Sequence, residues 1–378
     1  MQLDLPKGIA LARDIGLKTD LLHWGTRYTR TPLYRKQVND LHTLERGGSR
    51  MVLFLHTVQY GTAEARDRAV RFAQRGWNKL GRMLHIKRKK HLVKITAATV
   101  ICLTVFLAVL FGNAHISAES YSVSLQNLGG PVRIVLLSDL HGKSFGRENS
   151  RLIAKIQEQT PDAIFLDGDM IDRSADPTDV QELLRLIKRL HEIAPVYFAP
   201  GNHELEYMQT ETSLLTQVAE AGAVVVNDSY ADVTLAGQPL RIGGTMGHAF
   251  YFGRSEKEFS SSPEYQFLKA FEDTDVPKIC LAHMPDTFIF NGAYNLWNVD
   301  LILSGHTHGG LIRLPFIGGL YAPMQGWFPE YDQGYFRLGE HMQMVITSGL
   351  AGHGMIPRIN NPPEIVVIDL VPETTQER

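Results

Sequence analysis

Five short apolar runs in this chain each end in a side chain that can bind a metal or move a proton. They are "VLLSDLH" (135–141), "IFLDGDMID" (164–172), "YFAPGNHE" (197–204), "ICLAHMPD" (279–286) and "LILSGHTH" (301–308). Runs that are apolar throughout, instead of alternating, belong to strands covered on both faces, the pattern of parallel sheets. Helical stretches at about 147–159 and 178–192 separate the first three, so the expectation is an α/β domain. In open α/β sheets ligands bind at the carboxyl ends of the strands. That is where these polar residues stand. Further strands are expected at 120–125, 223–226, 231–235, 239–243, 333–338, 342–347 and 364–370, with a hairpin turn at Gly237-Gln238.

The donor types narrow the chemistry. Asp139, His141, Asp169, Asn202, His283, His306 and His308 offer oxygen and nitrogen and no sulfur. Such a set suits Mn, Fe, Zn or Mg at a hydrolytic centre better than a structural zinc site. Seven donors exceed the needs of one ion. A carboxylate has two oxygens, so a shared Asp169 would allow two divalent metal ions with four ligands each. Two histidines one residue apart, His306 and His308, can reach neighbouring ions from one tight, glycine-rich loop.

Charge divides the chain. Residues 1–94 hold 20 Lys and Arg against 7 Asp and Glu, a net of +13; the remainder hold 18 against 33, a net of −15. At the divide lies "ITAATVICLTVFLAVLFG", Ile95 to Gly112, 18 residues without a charge. As a helix it measures about 27 Å, close to a hydrocarbon core of roughly 30 Å. "KRKKH" precedes it, so the positive-inside rule predicts a single-pass membrane protein with a cytoplasmic N terminus and an extracytoplasmic catalytic domain. The stretch from Met83 also reads as a signal peptide ending near Gly112-Asn113-Ala114. Residues 62–84 have the spacing of a basic amphipathic helix, suited to anionic headgroups or to solvent. The expected organisation is therefore a basic N-terminal segment (1–91), a transmembrane or signal-anchor helix (92–112), a linker (113–119), a catalytic domain (120–372) and a tail (373–378). Cys102 and Cys280 are expected to be buried free thiols. No nucleic-acid motif stands out, and no nucleic-acid partner is expected.

The series D-x-H (139–141), G-D-x-x-D (168–172), G-N-H-E (201–204), His283 and G-H-x-H (305–308) resembles the calcineurin-like metallophosphoesterase superfamily. "SDLHGKSFG", "GHTHGGLIRLPFIGGLY" and "NNPPEIVVIDL" resemble its membrane-anchored branch more closely. That branch includes cell-envelope phosphoesterases, transmembrane proteins with a metallophosphoesterase domain, and UDP-2,3-diacylglucosamine pyrophosphatases. The likeness covers about 120–372 and not 1–90. It implies a four-layer α/β/β/α sandwich. It assigns Asp139, His141, Asp169 and His308 to a first ion and Asp169, Asn202, His283 and His306 to a second. It keeps His203 out of the ligand set and turns it toward the scissile phosphate as the catalytic histidine. The implied reaction is hydrolysis of a phosphodiester or pyrophosphate by in-line attack of a hydroxide generated at the ions. The implied substrate is phosphate-containing and lipid-linked or envelope-associated.

Two alternatives accompany this reading. One is a UDP-2,3-diacylglucosamine pyrophosphatase of lipid A synthesis, which needs a cytoplasmic-face active site. The other is a non-catalytic, metal-stabilised membrane adaptor, though all eight site positions are retained. Among the remaining residues, Asp172 is expected to orient the Asp169 loop or to cap a turn, and Glu204 to support the ligands. His248 and His353 could line the cleft, and Arg313 and Arg358 are expected to brace the fold through salt bridges. Leu311 stands where the branch often has Gln, which removes the substrate contact of that residue.

Overall fold

The computed structural model describes residues 63–246, 260–352 and 358–373. His248, His353 and the expectations for residues 1–62 lie outside them. Contacts divide the chain into two units, Met1–Cys102 and Leu103–Arg378.

One helix, α1 (Ala63–Ala114), runs through both the amphipathic stretch and the apolar stretch, which the sequence reading separated. The described side chains of Ile95, Val100, Ile101, Leu103, Phe106 and Leu107 are all exposed, and so is Cys102, contrary to expectation. Cys102 sits on a helix that presents its apolar side chains outward instead of packing them. Among the described residues, no helix is long and apolar enough to cross a membrane. Side chains 105, 108 and 110–112 of the apolar run lie outside the described ones.

The second unit is built from two six-stranded sheets. The first contains β1 (Ser117–Leu125), β2 (Val132–Leu137), β3 (Ala163–Asp167), β4 (Val196–Ala199), β5 (Ala223–Val225) and β16 (Glu364–Pro372), in the order β1-β16-β2-β3-β4-β5. Strands β2 to β5 are parallel. The second contains β6 (Ser229–Leu235), β7 (Gln238–Thr245), β8 (Lys278–Ala282), β9 (Leu301–Ser304), β14 (Gly334–Leu338) and β15 (Met342–Ile346), in the order β14-β15-β9-β8-β7-β6. Its centre, β15-β9-β8-β7, is also parallel.

Three buried clusters separate four layers. Leu136, Phe165, Tyr197, Ile242, Leu281 and Leu303 fill the space between the two sheets. The outer face of the first sheet packs on α2 (Ser150–Gln157), α3 (Pro177–His191) and α5 (Leu214–Glu220) through Leu152, Leu183, Ile187 and Val218. The outer face of the second packs on α6 (Pro263–Glu272) through Phe267, Leu268 and Phe271. Each fully buried Leu, Ile or Phe contributes about 1.5–3 kcal/mol, and the central strands are buried on both faces. That double burial explains the unbroken apolar runs. The expected α/β/β/α layering is the observed one.

Local signals place the helices. Asp176 caps α3, accepting from Thr178 N at 2.6 Å and Asp179 N at 3.1 Å, while Asp179 accepts from Asp176 N. Pro177 opens the helix. The β6–β7 turn is Ala236-Gly237, one residue earlier than expected, with φ of 48° and 78°. Left-handed geometry at both central positions suits a tight hairpin, and Gly237 supplies it without strain. β1 begins at Ser117, three residues before the expected start and inside the expected linker, because Ser117, Ala118 and Glu119 pair with Glu364, Ile365 and Val366 through their backbones.

Candidate metal centre

Strands β2, β3 and β4 of the first sheet and β8 and β9 of the second end at one place. Asp139 and His141 follow β2, and Asp169 follows β3. Asn202 and His203 open a short helix, α4 (Asn202–Tyr207), after β4. His283 follows β8, and His306 and His308 follow β9. Asp139, His141, Asp169, His306 and His308 all have positive φ, between 45° and 67°. Non-glycine residues adopt this region rarely and at a cost, and such strain concentrates at functional sites.

The loops hold one another in these conformations. Asp139 N donates to Gly168 O and His141 N to Asp169 O, which ties the β2 loop to the β3 loop. His306 N donates to both carboxylate oxygens of Asp139, at 3.2 and 3.1 Å, so the second sheet is tied to the first. The buried Glu204 carboxylate accepts from the backbone N–H groups of Asp169, Met170, Ile171 and Gly201. Burial pushes Glu204 up to about 7. Close approach requires glycine at two points. A Cβ on Gly168 would lie 2.6 Å from Gly201 Cα, and one on Gly305 would overlap the Ser138 hydroxyl.

Two groups of three side chains converge, each with its donor atoms within 4.8 Å: Asp139, His141 and His308, and Asp169, His283 and His306. A third, His141, Asp172 and His203, adjoins them, although no ligand role was expected for its last two members. His141 Nε2 lies between the carboxylates, 3.9 Å from Asp139 and 3.8 Å from Asp169. His283 Nδ1 is 2.8 Å from Asp167 O, and His308 Nδ1 is 3.2 Å from Ala351 O. A backbone carbonyl at Nδ1 fixes the tautomer and frees Nε2 for the centre. There His283 Nε2 is 3.2 Å from Asp169 and His308 Nε2 3.5 Å from Asp139.

The electrostatics suit cations. Burial pulls His141 down to about 4 and His306 down to about 3, so both rings are neutral at pH 7. Burial also works against the charged forms of Asp169 and His283, but their mutual attraction outweighs it. Asp169 stays below the usual carboxylate range and His283 well above the usual imidazole range. Asp169 thus draws positive charge to His283 Nε2, and a proton or a metal ion can supply it. Among the described residues, the buried Asn202 Oδ1 has no hydrogen-bond partner. An orphaned acceptor costs about 1–3 kcal/mol, and a cation would satisfy it. Neutral imidazoles, carboxylates and a lone amide oxygen fit divalent metal.

His203 faces the same space with a different task. Its Nδ1 accepts from Arg173 N at 3.1 Å, which leaves the proton on Nε2, 3.8 Å from Asp169. Asp172 accepts from Ser174 N and Oγ and stands 3.7 Å from His203 Nδ1, so it both closes a turn and flanks the histidine. Leu311 is buried.

Sequence reasoning missed how deep the support reaches. Arg313 does form the expected salt bridge, with Asp332 at 2.7 Å. Arg358 does something else. It is fully buried, and its guanidinium donates to Ser348 O, Ala351 O, Asn361 O, Asn361 Oδ1, Ser348 Oγ and Pro362 O. Ala351 O is the carbonyl that orients His308, and Asn361 Nδ2 donates to His308 O at 2.7 Å. The Pro-Pro pair in "NNPPEIVVIDL" was the available signal, marking a fixed turn beside a buried strand.

Residues 132–310 match the family described as calcineurin-like phosphoesterase. An uncharacterized metallophosphoesterase of Campylobacter jejuni is 30% identical over 257 residues, 67% of this chain and 62% of that protein. The phosphodiesterase YaeI of Escherichia coli is 28% identical over 246 residues, 64% of this chain and 83% of its own. A transmembrane protein with metallophosphoesterase domain from Danio rerio is 28% identical over 277 residues, 68% of this chain and 56% of its own. The chain spans 62% to 66% of the length of the Campylobacter protein and two Helicobacter pylori metallophosphoesterases. These likenesses support a metal-dependent phosphoester hydrolase.

Proposed function

We propose, from the match of residues 132–310 to the calcineurin-like phosphoesterase family, that the chain is a membrane-anchored hydrolase of a phosphodiester or pyrophosphate, with a lipid-linked substrate. The observation that carries the reading is the meeting of two donor triads, each drawing on both sheets, around His141 and Asp169. In this reading Asp139, His141, Asp169 and His308 hold one divalent ion. Asp169, Asn202, His283 and His306 hold the other. Two such ions polarise the phosphoryl oxygens and lower the pKa of water, which supplies a nucleophile near neutral pH. The chain's own residues do the rest. Glu204 holds the Asp169 loop. His203, with its proton on Nε2, donates to the leaving oxygen.

The anchor rests on the sequence and on α1. The apolar stretch Ile95–Gly112 follows a basic cluster, and its described large side chains are exposed. The topology it implies puts residues 1–94 in the cytoplasm and the catalytic domain outside. Support for a lipid-linked substrate comes from strand direction. β16 runs antiparallel to β2, so it starts at the end of the sheet where Asp139 stands. β1 is parallel to β16, so Ser117 lies at that same end. Only His115 and Ile116 separate β1 from α1. The chain therefore enters the domain at the catalytic end.

The test uses protein stripped of metal and given Mn²⁺, with Asp169→Ala as the blank. Hydrolysis of a generic aryl phosphodiester and of UDP-2,3-diacylglucosamine would be measured side by side. Mn²⁺-dependent hydrolysis that Asp169→Ala abolishes supports the proposal. Fast cleavage of the sugar nucleotide alone moves the domain to the cytoplasmic face and to lipid A synthesis. No metal-dependent hydrolysis of either ends the enzymatic reading.

A further inference from the structure

Residues 314–329 contain no charge in 16 positions, between Arg313 and Glu330. They form two small antiparallel hairpins, β10 (Arg313–Leu314) with β11 (Gly318–Gly319), and β12 (Tyr321–Ala322) with β13 (Gly326–Trp327). Phe316, Ile317, Tyr321, Met324, Trp327 and Phe328 are all exposed, Phe316 completely. Large apolar side chains gathered on one short segment mark an interaction surface. Phe316, Met324 and Phe328 have φ of 67°, 62° and 54°. Bulky residues rarely take this conformation, and here all three side chains stay exposed.

The root of this segment is rigid and close to the catalytic loop. Arg313 Nη1 donates to Gly309 O and to Asp332, whose carboxylate also accepts Gly319 N. Leu320 N donates to Gly310 O and Ile312 O. Gly309 and Gly310 directly follow His308. The root is also close to where the chain enters the domain. Arg313 N donates to Ile359 O, and Asn360 Nδ2 to Arg313 O. A few residues on, Pro363 O accepts from Ser117 N, the first residue of β1. Catalytic loop, apolar hairpins and chain entry thus share one end of the domain.

We propose that the hairpins of residues 314–328 are a lipid-interface contact that seats the mouth of the metal centre on the bilayer. Trp and Tyr settle at the headgroup level, while Phe, Ile and Met reach the acyl boundary. A surface without charge needs no anionic lipid, so the occupant is a zwitterionic phospholipid bilayer as readily as an acidic one. The proposal rests on the membrane-anchored reading above and adds its substrate-side surface. A phosphoester lipid lying in that bilayer then meets the site without leaving the membrane.

The test places the full chain in phosphatidylcholine vesicles made with brominated acyl chains, which quench nearby tryptophan. The Trp327 contribution is the difference between wild type and Trp327→Phe. Flotation reports the anchor, and quenching reports the hairpins. The expected result is co-flotation with most of the Trp327 signal lost. Flotation with Trp327 unquenched overturns the hairpin proposal and leaves the anchor; failure to float overturns both.

A second arm uses the triple substitution Phe316→Asp, Trp327→Asp, Phe328→Asp. Its hydrolysis of a soluble aryl phosphodiester should match wild type, which also reports an intact fold. Hydrolysis of a phosphodiester embedded in phosphatidylcholine vesicles should fall by at least about tenfold. Equal rates on both substrates overturn the proposal. If wild type hydrolyses neither ester, the catalytic reading fails, and the quenching result still decides the hairpins.

Discussion

Two neighbouring stretches of this chain invert the usual placement of side chains in opposite ways. In 304–312 the polar residues Ser304, Thr307 and His308 are buried, and His306 is half-buried against Asp139 and His283. In 314–328 Phe316, Ile317, Trp327 and Phe328 stand in the open. Buried polar groups need partners and exposed apolar clusters attract them. Each inversion accords with what is proposed above: divalent cations at the histidines of the first stretch and lipid at the side chains of the second. The two also differ in how they are held. Asp139, Asn361 and, through Ala351, Arg358 fix the first at several points. The second is held at its root by Arg313 and Asp332 and at Gln325, which exchanges hydrogen bonds with the Tyr331 backbone, while its large apolar side chains stay exposed.

The sharpest way to break the comparison is to remove the carboxylate that both ligand groups lean on. On the proposed two-ion reading, Asp169→Ala should lower hydrolysis by about 10⁴-fold or more and release most of the metal, since such a centre would supply the nucleophile and the charge stabilisation together. Metal analysis beside turnover checks it. Full metal content with normal turnover would move the chemistry elsewhere. Next in size is His203→Ala. A positioned proton donor contributes roughly 10²–10⁴-fold, so kcat should drop by that amount with the metal content retained. Loss of metal in the same proportion would make His203 a ligand, as its place in the third donor group with His141 and Asp172 allows.

Much of this site was legible in the residues, for a physical reason. A strand buried on both faces must be apolar, so the polar residue after it stands out, as Asp139 does after "VRIVLL". What the strand ends could not reveal was conformation. Positive φ is announced by glycine, and Asp139, His141 and Asp169 adopt it without being glycine, because the hydrogen bonds of neighbouring loops impose it. The hairpins of 313–327 were invisible for a related reason. Strands of two residues carry no periodicity. Arg358 was misjudged because an arginine in a sequence suggests a carboxylate partner, whereas its donors go mainly to carbonyls that only the folded turn brings together.

Arg358 gives the third test. Arg358→Met keeps much of the volume and strands several buried acceptors around His308. The expected cost is about 2–4 kcal/mol, read from the urea midpoint. The loss should appear in the apo protein as well as the loaded one, because the brace is part of the fold. An unchanged midpoint would show that the first stretch is held by its ions alone.

Acidification tests the same stretch with a smaller expected effect. His306 and His141 have folded values of about 3 and 4 against an ordinary 6.5. Between pH 6.5 and about 4 the unfolded chain binds protons that the folded chain refuses. Each of these two histidines by itself therefore lowers the stability of the stripped protein as pH falls through this window, by up to about 1.4 kcal/mol per pH unit, while Glu204, Asp167 and Asp286, whose carboxyls burial pushes up, work in the opposite direction. His283 has the opposite sign. Raised above 6.5, it contributes stability fully present below that pH and lost as pH rises through its folded value, so it adds no slope in the acid window. Urea titrations at pH 6 and pH 5 measure the difference. Relative to wild type, His306→Asn should lose less stability, or gain more, on going from pH 6 to pH 5, and a pH difference unchanged in both His306→Asn and His141→Asn would place the acid sensitivity outside these two rings.

The smallest effect belongs to the second stretch. Phe316 is fully exposed with φ of 67°, so folding gains little from its ring and strains its backbone. Phe316→Gly removes a left-handed penalty of about 1–2 kcal/mol. It also adds roughly 0.5–1 kcal/mol of unfolded-chain entropy, which offsets much of the gain. Stability should thus stay within about 0.5 kcal/mol of wild type or rise slightly, by urea midpoint. A clear loss of stability would mean that the phenylalanine serves the fold, and the contrast between the two stretches would be weaker than their exposure suggests. Neutrality would leave an aromatic side chain, held in an unfavourable conformation, with no role in folding. Its reason for being there must then lie in what it touches outside the chain.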